Sequence, residues 1–393
     1  MIEGDSMKNV LLEEFSPICQ IQAFVEEDEH CVYFYLWNNP GEEYASIRAG
    51  WVRNYGKAPD TIDVAAMEDG QAPMLPRDCC AHPDGAPRLD PDQLSIVWFE
   101  EGDAAALLYQ GEVLSVIPGW AGSAPDGSSY PAYAKDCTGE SSNTPQSDEY
   151  ALKHIPSTLR GPQQLICVPL GTPETNELFA RIESAQKFWA SWDDDPWPAM
   201  QEQFLGAITA SLGPVKKYYA IDGGHWPPKA MVTIEKENVT YVVTLGVSIL
   251  PQPKVEMYTE TPELLRRFEF AFACETEWLA KNEQQMLAYI SGQTSLPWSY
   301  LTFLAQGHTI PCREISEIDE QFTSMLLAKP DEAPAISFPM VGGDPVNLLW
   351  MIPLTEDELH FAQTHSSVNL VQKAAKGLEY WIFNGVSKFS ASR

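Results

Sequence analysis

The sequence predicts an α+β fold in two domains, each a mostly antiparallel sheet with flanking helices. Short apolar stretches bounded by glycine, proline and aspartate turns are typical of β-strands. These stretches occur in groups, and segments with helical periodicity flank the groups instead of alternating with single strands, which favours α+β over α/β. The chain has 393 residues, and this length favours two domains over one.

The chain is strongly acidic. It contains 55 aspartates and glutamates against 25 lysines and arginines, which gives a formal net charge of −30. A surface this negative repels phosphate backbones and anionic lipid, so we expect neither nucleic acid nor membrane as a partner. Two interpretations remain: the charge attracts a basic protein, or it serves solubility alone.

We expect a cytoplasmic protein. The stretch from Met1 to Lys8 lacks the basic and apolar regions of a signal peptide. The sequence contains no apolar run of the roughly eighteen residues that a membrane-spanning helix needs. Its eight cysteines are scattered, so we expect reduced thiols and not a disulfide framework.

Strands dominate the first part of the chain. From Val32 to Trp37 the side chains on both faces of a predicted strand are bulky. We therefore expect this strand to be covered on both faces. Glycine turns such as Gln110-Gly111 join the later strands into an antiparallel meander. Proline and aspartate crowd residues 70–92, which predicts a loop. The predicted strands are 21–25, 30–37, 45–51, 94–100, 104–109 and 112–117.

Residues 122–149 are rich in serine, glycine, proline and aspartate. They form either a mobile loop or an ordered contact surface, because structureless loops of this length are uncommon in compact domains. Further along, Thr172-Pro-Glu is typical of a helix start. Apolar residues then recur every three or four positions from Leu178 to Trp192.

A second helix is expected to follow at once. Asp195 can cap a helix that begins at Pro196, and Gly213-Pro214 would end it. Two capped helices in succession indicate a junction. We therefore predict an N-terminal α+β domain over residues 1–192 and a second α+β domain over residues 193–393.

The second domain is expected to contain several more strands and one long helix. Residues 380–383 are apolar enough to pack against it. The predicted strands are 231–234, 239–250, 264–274 and 336–338, and the predicted helix is 277–291.

Residues 346–359 carry the most specific local pattern. The apolar run from Val346 to Ile352 predicts a buried strand, and Pro353 is expected to end it because proline cannot donate to a sheet ladder. Thr355 and Glu358 have the spacing of a capping box, in which each side chain binds the backbone N–H of the other residue. A strand, a corner and a helix are thus expected in close succession.

This segment also carries a resemblance to the suppressor-of-fused (SUFU) domain family. In that family a hydrophobic strand leads into a threonine-initiated, glutamate-rich helix. The resembling region extends over residues 196–378, with one departure: Ala271 stands where a threonine is more usual. The resembling motifs are LLWMIPLTEDEL (348–359), VNLV (368–371), SLGPVKKYY (211–219), YVVTLGVS (241–248) and RFEFAF (267–272).

The resemblance implies a non-enzymatic protein that sequesters another protein. Animal members hold Gli transcription factors between two domains, partly by adding a peptide strand to a sheet. Bacterial members are linked to immunity against polymorphic toxins. Because nothing in the sequence resembles a Gli-specific feature, we expect a bacterial source. The expected partner is then a basic protein, either a toxin domain or a regulatory protein.

The candidate partner-binding residues combine aromatic side chains with negative charge, which suits a basic partner. An alternative is that the tryptophans pack and the aspartates only cap helices. The candidates are Trp192, Asp193, Asp194, Asp195, Trp197, His225 and Trp226.

The sequence carries no recognised catalytic motif, so we predict no catalytic residue, metal or cofactor. Phosphate-binding loops, dinucleotide fingerprints, nucleophile elbows and zinc-protease motifs do not occur. Cys79, Cys80 and His82 have poor spacing for zinc. Cys137 with His154 would make a thiolate–imidazole pair only if the fold joined them. Two rival functions stay open: a hydrolase-like enzyme with an unrecognised site, and a module that binds peptides at an exposed sheet edge.

Overall fold

The computed structural model describes residues 8–43, 45–63, 71–123, 129–130, 132–138, 167–374 and 379–389. The chain divides into two compact units. The first is Met1–Asp193 with Glu256–Glu260, and the second is Asp194–Val255 with Thr261–Arg393. Both contain helices and mostly antiparallel sheets, which confirms the predicted α+β class. That the halves are separate domains stays a prediction.

The first sheet of the first unit is fully antiparallel, in the order β1-β2-β3-β4. It confirms three predicted strands, and β3 is buried on both faces as expected. Strand β1 was not predicted, because its side chains are largely exposed and show little periodicity in hydropathy. The strands are β1 (Asn9–Phe15), β2 (Ile21–Glu27), β3 (Cys31–Asn38) and β4 (Ser46–Asn54).

The second sheet has the order β11-β10-β7-β6-β5 and contains the predicted meander. Gln110 and Gly111 have φ values of 53° and 81°, the left-handed pair that a tight hairpin turn needs. The strands are β5 (Leu94–Trp98), β6 (Ala105–Tyr109), β7 (Glu112–Ile117), β10 (Ala132–Ala134) and β11 (Cys167–Pro169), with β8 (Gly122–Ser123) and β9 (Ser129–Tyr130) as a separate pair.

The two sheets of the first unit touch at Gly50 of β4. A Cβ atom at this position would lie 2.9 Å from the Cβ of Ala132 and 3.1 Å from Oγ of Ser115. A real side chain would therefore push the sheets apart. Glycine is required here for close approach and not for its backbone freedom.

Helix α1 (Leu178–Ser191) covers the second sheet with Leu178 and Ile182. It begins later than predicted. Thr172 opens a hydrogen-bonded turn instead, accepting the N–H of Asn176 at 2.9 Å. The Asn176 side chain then accepts the N–H of Leu178, the first helical residue, at 3.1 Å. A competing turn displaced the helix start.

A salt bridge to Arg181 on α1 helps explain why residues Glu256–Glu260 belong to the first unit. The Arg181 guanidinium lies 2.8 Å from the Glu101 carboxylate and 3.2 Å from that of Glu256. It also stacks over the rings of Phe99 and Trp120. Both carboxylates are buried, so this cation compensates charges that would be costly alone.

The second unit is built on a sheet with the order β12-β13-β14-β15-β18-β17-β16, while β19 also pairs with β15. The pairs β15–β18 and β15–β19 are parallel, and the others are antiparallel. The strands are β12 (Lys217–Ala220), β13 (Ala230–Lys236), β14 (Val239–Leu245), β15 (Arg267–Glu275), β16 (Thr309–Pro311), β17 (Phe322–Ala328), β18 (Val346–Thr355) and β19 (Ile382–Phe383).

Three strand predictions for this unit were wrong in detail. Pro353 does not end β18. The pairing of β18 with β15 stops at Trp350. Pro353 lies beyond this point and is paired with Met325 of β17. A proline is tolerated where a strand has lost one neighbour. Strand β14 ends at Leu245, because Gly246 turns the chain with a φ of 95°. Residues 336–338 form no strand.

Helix α2 covers one face of this sheet, with Phe204, Ile208 and Leu212 in its core. It starts at Trp197, and Gly213 ends it as predicted. Asp195 does not cap it, because its backbone is left-handed (φ 46°) and Pro196 occupies the cap position. The helices are α2 (Trp197–Leu212), α3 (Thr276–Gln293), α4 (Leu296–Tyr300), α5 (Arg313–Ile318), α6 (Glu356–His365) and α7 (Ser367–Val371).

The predicted capping box of α6 is confirmed. Glu358 N–H bonds to the Thr355 hydroxyl at 3.4 Å, and Thr355 N–H bonds to the Glu358 carboxylate at 2.8 Å. The C-terminal segment packs against the unit through Trp381 and Phe383, as expected. Across the residues described, none of the helices combines the length and apolar character needed to cross a membrane.

Glu269 on β15 should make the stability of the second unit depend on pH. Its carboxylate is fully buried and accepts bonds from Thr244, Gly246 and Ser248. Burial outweighs these donors and raises the pKa of Glu269. Folding therefore favours the protonated form, and this contribution is lost as pH rises from the unfolded pKa of about 4.3 through the raised folded pKa.

We expect Glu269→Gln to flatten this dependence, because glutamine does not titrate. Urea unfolding between pH 4 and 8 measures it: the stability of the parent protein should fall relative to that of the variant as pH rises. A constant difference between the two across this range would contradict the prediction.

Candidate functional site

The aromatic and acidic candidates at the junction have separate structural surroundings. Trp192 and Asp193 belong to the first unit. Trp192 is half-buried, and its ring packs edge-on against Phe188 with 6.3 Å between centroids. Asp193 is exposed. Trp192 therefore packs along its own helix, and a contact role for Trp192 and Asp193 stays a prediction.

The remaining candidates belong to the second unit. Asp194 and Asp195 are exposed. Trp197 is half-buried and packs against the core; its ring edge lies 3.0 Å from where a Cβ of Gly246 would stand. Trp197 therefore packs against the sheet and is unsuited to act as a freely exposed anchor.

His225 and Trp226 lie in the loop that joins β12 to β13. The Asp222 carboxylate organises this loop by accepting the N–H of Gly224 at 2.7 Å and that of Lys229 at 3.0 Å. His225 is exposed and Trp226 is half-buried. The loop is thus a rigid hairpin tip, and a contact role for these residues stays a prediction.

Free strand edges are the other surfaces that could bind a protein, because their backbone groups can pair with an added strand. Strand β16 has only three residues, and its last is Pro311, which cannot donate. Strand β12 has four residues and exposes Tyr218. Strand β1 is longer, with seven residues, and offers the longest ladder of the three.

Charge at the β12 edge is neutralised locally. Lys217 lies 2.6 Å from the Glu283 carboxylate, which also accepts the Tyr219 hydroxyl at 2.8 Å. The hydrogen bond from Lys217 holds the pKa of Glu283 below its usual value and raises that of Lys217. Lys216 pairs with Glu235. The two lysines of the β12 edge are therefore each paired with a glutamate, and their charges are balanced locally.

Strand β1 pairs with β2 on one side, and in the described residues its other edge has no strand partner. The Ser16 N–H bonds to the Ile21 carbonyl at 2.8 Å. Because antiparallel bonds alternate along a strand, the backbone groups of Glu13 and Phe15 then point away from β2. Outward backbone groups of this kind are those with which an added strand pairs.

The side chains of β1 combine apolar surface with negative charge. Val10 is 50% exposed and Phe15 is 59% exposed. Between them lie the exposed Glu13 and Glu14. Partial burial raises the pKa of Glu14, while its bond from the Trp98 indole (2.9 Å) opposes the shift. An edge of this kind suits an extended segment that is both apolar and basic.

An open groove of about 1100 Å³ lies in the second unit beside β16. Its polar lining includes His308, Arg313 and Glu314, and Tyr300 stands at its wall, 69% exposed. Burial lowers the pKa of His308. The lining contains no thiol, so the groove does not match the hydrolase built on Cys137 that the sequence analysis considered.

The structure tests the cysteine candidates only in part. Cys137 is buried, and His154 lies outside the described residues. Burial raises the pKa of both Cys79 and Cys80, whereas a reactive thiol requires a lowered pKa. Over the described ranges, three or more His, Cys, Asp or Glu side chains do not gather as metal ligands.

Sequence reasoning missed the β1 edge. In the sequence, one set of alternating residues is Val10, Leu12 and Glu14, and the other is Leu11, Glu13 and Phe15. Each set mixes apolar and acidic side chains, so neither face of a strand would be consistently polar. Such a stretch resembles a loop as much as a strand. Only its pairing with β2 identifies it.

Comparison with known proteins relates one half of the chain to a described family. Residues 225–385 match the family model "Suppressor of fused protein (SUFU)". No curated protein matches the chain. A solved structure, provisionally described as a SUFU homolog from Neisseria gonorrhoeae FA 1090, is 16% identical, with a TM-score of 0.37. The match covers 48% of this chain and 97% of that one.

Proposed function

We propose that this chain, whose residues 225–385 belong to the suppressor of fused protein (SUFU) family, is a non-enzymatic protein that binds and sequesters another protein. The family consists of regulatory proteins that bind other proteins. The observation that carries the proposal is the free edge of β1, with its outward backbone groups and exposed Val10 and Phe15. Strand addition at this edge is a way of binding a protein that needs no catalytic residue.

The partner is a basic protein that adds an extended segment to β1. Main-chain hydrogen bonds to Glu13 and Phe15 supply affinity, and the carboxylates between the apolar side chains select a segment with lysine or arginine. The net charge of −30 supports this choice, because long-range attraction speeds the encounter of oppositely charged proteins.

Within this function we propose that the partner is a bacterial toxin domain and that the chain acts as its immunity protein. Occluding a basic toxin requires only a stable complex, which suits a protein whose described groove lacks a nucleophilic thiol. Co-expression with toxin domains encoded beside its gene tests this proposal. Failure to bind or neutralise every candidate would reject the immunity role.

The binding mode is tested at Glu13. We expect Glu13→Pro to weaken partner binding at least about tenfold, because proline removes an outward N–H while leaving the bonds from β1 to β2 in place. Calorimetric titration of the partner into each variant measures the loss. Thermal unfolding should show that the variant remains folded.

Two control variants isolate the cause. Glu13→Ala removes the carboxylate but keeps the N–H, so it should weaken binding less and mainly reduce the dependence of affinity on salt. Tyr218→Pro makes the equivalent change on β12 and should leave binding unchanged. If Tyr218→Pro abolishes binding and Glu13→Pro does not, the partner uses the β12 edge instead.

A further inference from the structure

Five of the eight cysteines, from four separate parts of the sequence, meet in one cluster of the first unit. Cys80, Cys137 and Cys167 are buried, and Cys79 is partly exposed. Cys31 completes the set. All are thiols in the structure. A metal does not explain the cluster, since no metal-ligand group is found among the described residues.

Cys80 and Cys137 face each other as partners in an isolated antiparallel bridge. Two hydrogen bonds flank the pair: Ala81 N–H to Asp136 O and Thr138 N–H to Cys79 O, both 2.8 Å. The cysteines are therefore a non-hydrogen-bonded pair, for which the Cα atoms stand about 4.5 Å apart with side chains on the same face. This spacing lies within the range that a disulfide spans, about 4.4–6.8 Å.

We propose that Cys80 and Cys137 form a reversible cross-strand disulfide when the protein meets a small-molecule disulfide. One protein thiolate attacks a sulfur of the reagent, forms a mixed disulfide and releases one small thiol. The second protein thiolate then attacks the mixed disulfide, closes the Cys80–Cys137 bond and releases the second small thiol. Two protein thiols are oxidised, one reagent disulfide is reduced, and both protons end on the released thiols.

The neighbouring cysteines define the entry point and the competitor. Cys79, partly exposed and adjacent to Cys80, is the first thiol that a reagent meets. The Cys80 thiolate then attacks the outer sulfur of the mixed disulfide on Cys79, which moves the small group to Cys80 and releases the Cys79 thiol. Because burial raises the pKa of both thiols, the exchange should be slow at neutral pH and faster at higher pH. Cys167 competes for Cys137, whose Sγ lies 3.9 Å from the Cys167 carbonyl oxygen. Cys167 is on β11, parallel to β10, and it lacks the flanking antiparallel bonds that align Cys80. The facing backbone positions favour Cys80 as the disulfide partner, although in the reduced protein the Cys137 thiol is hydrogen-bonded to that of Cys167 and the Cys80 thiol contacts the Arg77 carbonyl.

The test is to treat the folded full-length chain with oxidised glutathione, block remaining thiols and map disulfides by mass spectrometry without reduction. We expect a peptide that links Cys80 to Cys137 and disappears after reductant. Because Cys79 and Cys80 are adjacent, the Cys79→Ser variant makes the assignment unambiguous: the link should persist there, forming more slowly, and vanish in Cys80→Ser. Cys274→Ser, a buried cysteine of the second unit, is the matched control and should keep the link.

The bond should also raise the thermal midpoint of the parent protein by about 10 °C, reversed by reductant, because it closes a long loop in the unfolded chain. Cys80→Ser and Cys137→Ser should show no such shift. A link between Cys137 and Cys167, or full alkylation of Cys80 and Cys137 in the treated native protein, would overturn the proposal.

Discussion

Replacing Glu358 with alanine is expected to lower the free energy of unfolding by about 3 kcal/mol. This side chain is 1% exposed. One oxygen accepts the Thr355 N–H at 2.8 Å. The other accepts the Phe389 N–H at 3.1 Å and the Ser387 hydroxyl. Alanine would leave the Thr355 and Phe389 N–H groups without this acceptor, and the Ser387 hydroxyl would keep only its bond to the Phe389 carbonyl at 3.1 Å.

The size of the effect follows from the number of lost bonds. Each buried donor left unsatisfied costs about 1–3 kcal/mol, and loss of a helix cap alone costs about 1 kcal/mol. Urea unfolding measures the total. Limited proteolysis should also cleave the variant sooner than the parent protein at sites C-terminal to residue 371. The reason is that the C-terminal segment loses its hydrogen bonds to Glu358.

Glu356 provides the matched control for Glu358. It lies in the same first turn of α6 but is exposed, so Glu356→Ala should cost no more than about 0.5 kcal/mol through the helix dipole. Ser387→Ala should fall between the two, because it removes one donor to Glu358 and leaves the cap intact. Equal stability of the Glu356 and Glu358 variants would contradict the assigned role.

Replacing Arg267 with alanine is expected to cost about 3–5 kcal/mol. The guanidinium is 2% exposed. Its Nε lies 3.2 Å from the Asp344 carboxylate, and its Nη1 donates to the carbonyls of Ser248 (3.0 Å) and Ile249 (2.6 Å). Alanine would leave a buried carboxylate without its cation and create a cavity beside β15.

A double-mutant cycle separates these two contributions. If the ion pair matters, Asp344→Ala in the Arg267→Ala background should cost about 1.5–3 kcal/mol less than in the parent protein, because the carboxylate has then already lost the Arg267 guanidinium. Urea unfolding of the four proteins measures the coupling. Additive effects would show that Arg267 acts only through packing and its two carbonyl contacts.

Local signals in the sequence were reliable where one short segment contains both interacting groups. Thr355 and Glu358 are three positions apart, and their capping box formed as predicted. Gln110-Gly111 made the predicted turn between β6 and β7. Where two local structures competed, prediction failed: the hydrogen-bonded turn from Thr172 to Asn176 displaced the start of α1.

The candidate binding surface was less predictable. The patterns that favoured Trp197 and Asp195 were aromatic and acidic composition, which cannot distinguish a packed ring or a left-handed turn from a contact residue. In the structure Trp197 packs against the core and Asp195 turns the chain. The free edge of β1 depends on which strands pair, and strand order is not encoded in the periodicity of one strand.

By itself the sequence determined the α+β class, the capping box of α6, the Gln110-Gly111 turn and the family resemblance of the second half. These features depend on groups within a few positions of each other, where chain geometry leaves few alternatives. Tertiary structure alone decided that Glu358 would bind the chain near Phe389, that Cys80 would face Cys137, and that β1 would pair with β2 as the first strand of its sheet among the residues described. Such contacts join distant residues, and many pairings satisfy the same local pattern until the packed core selects one.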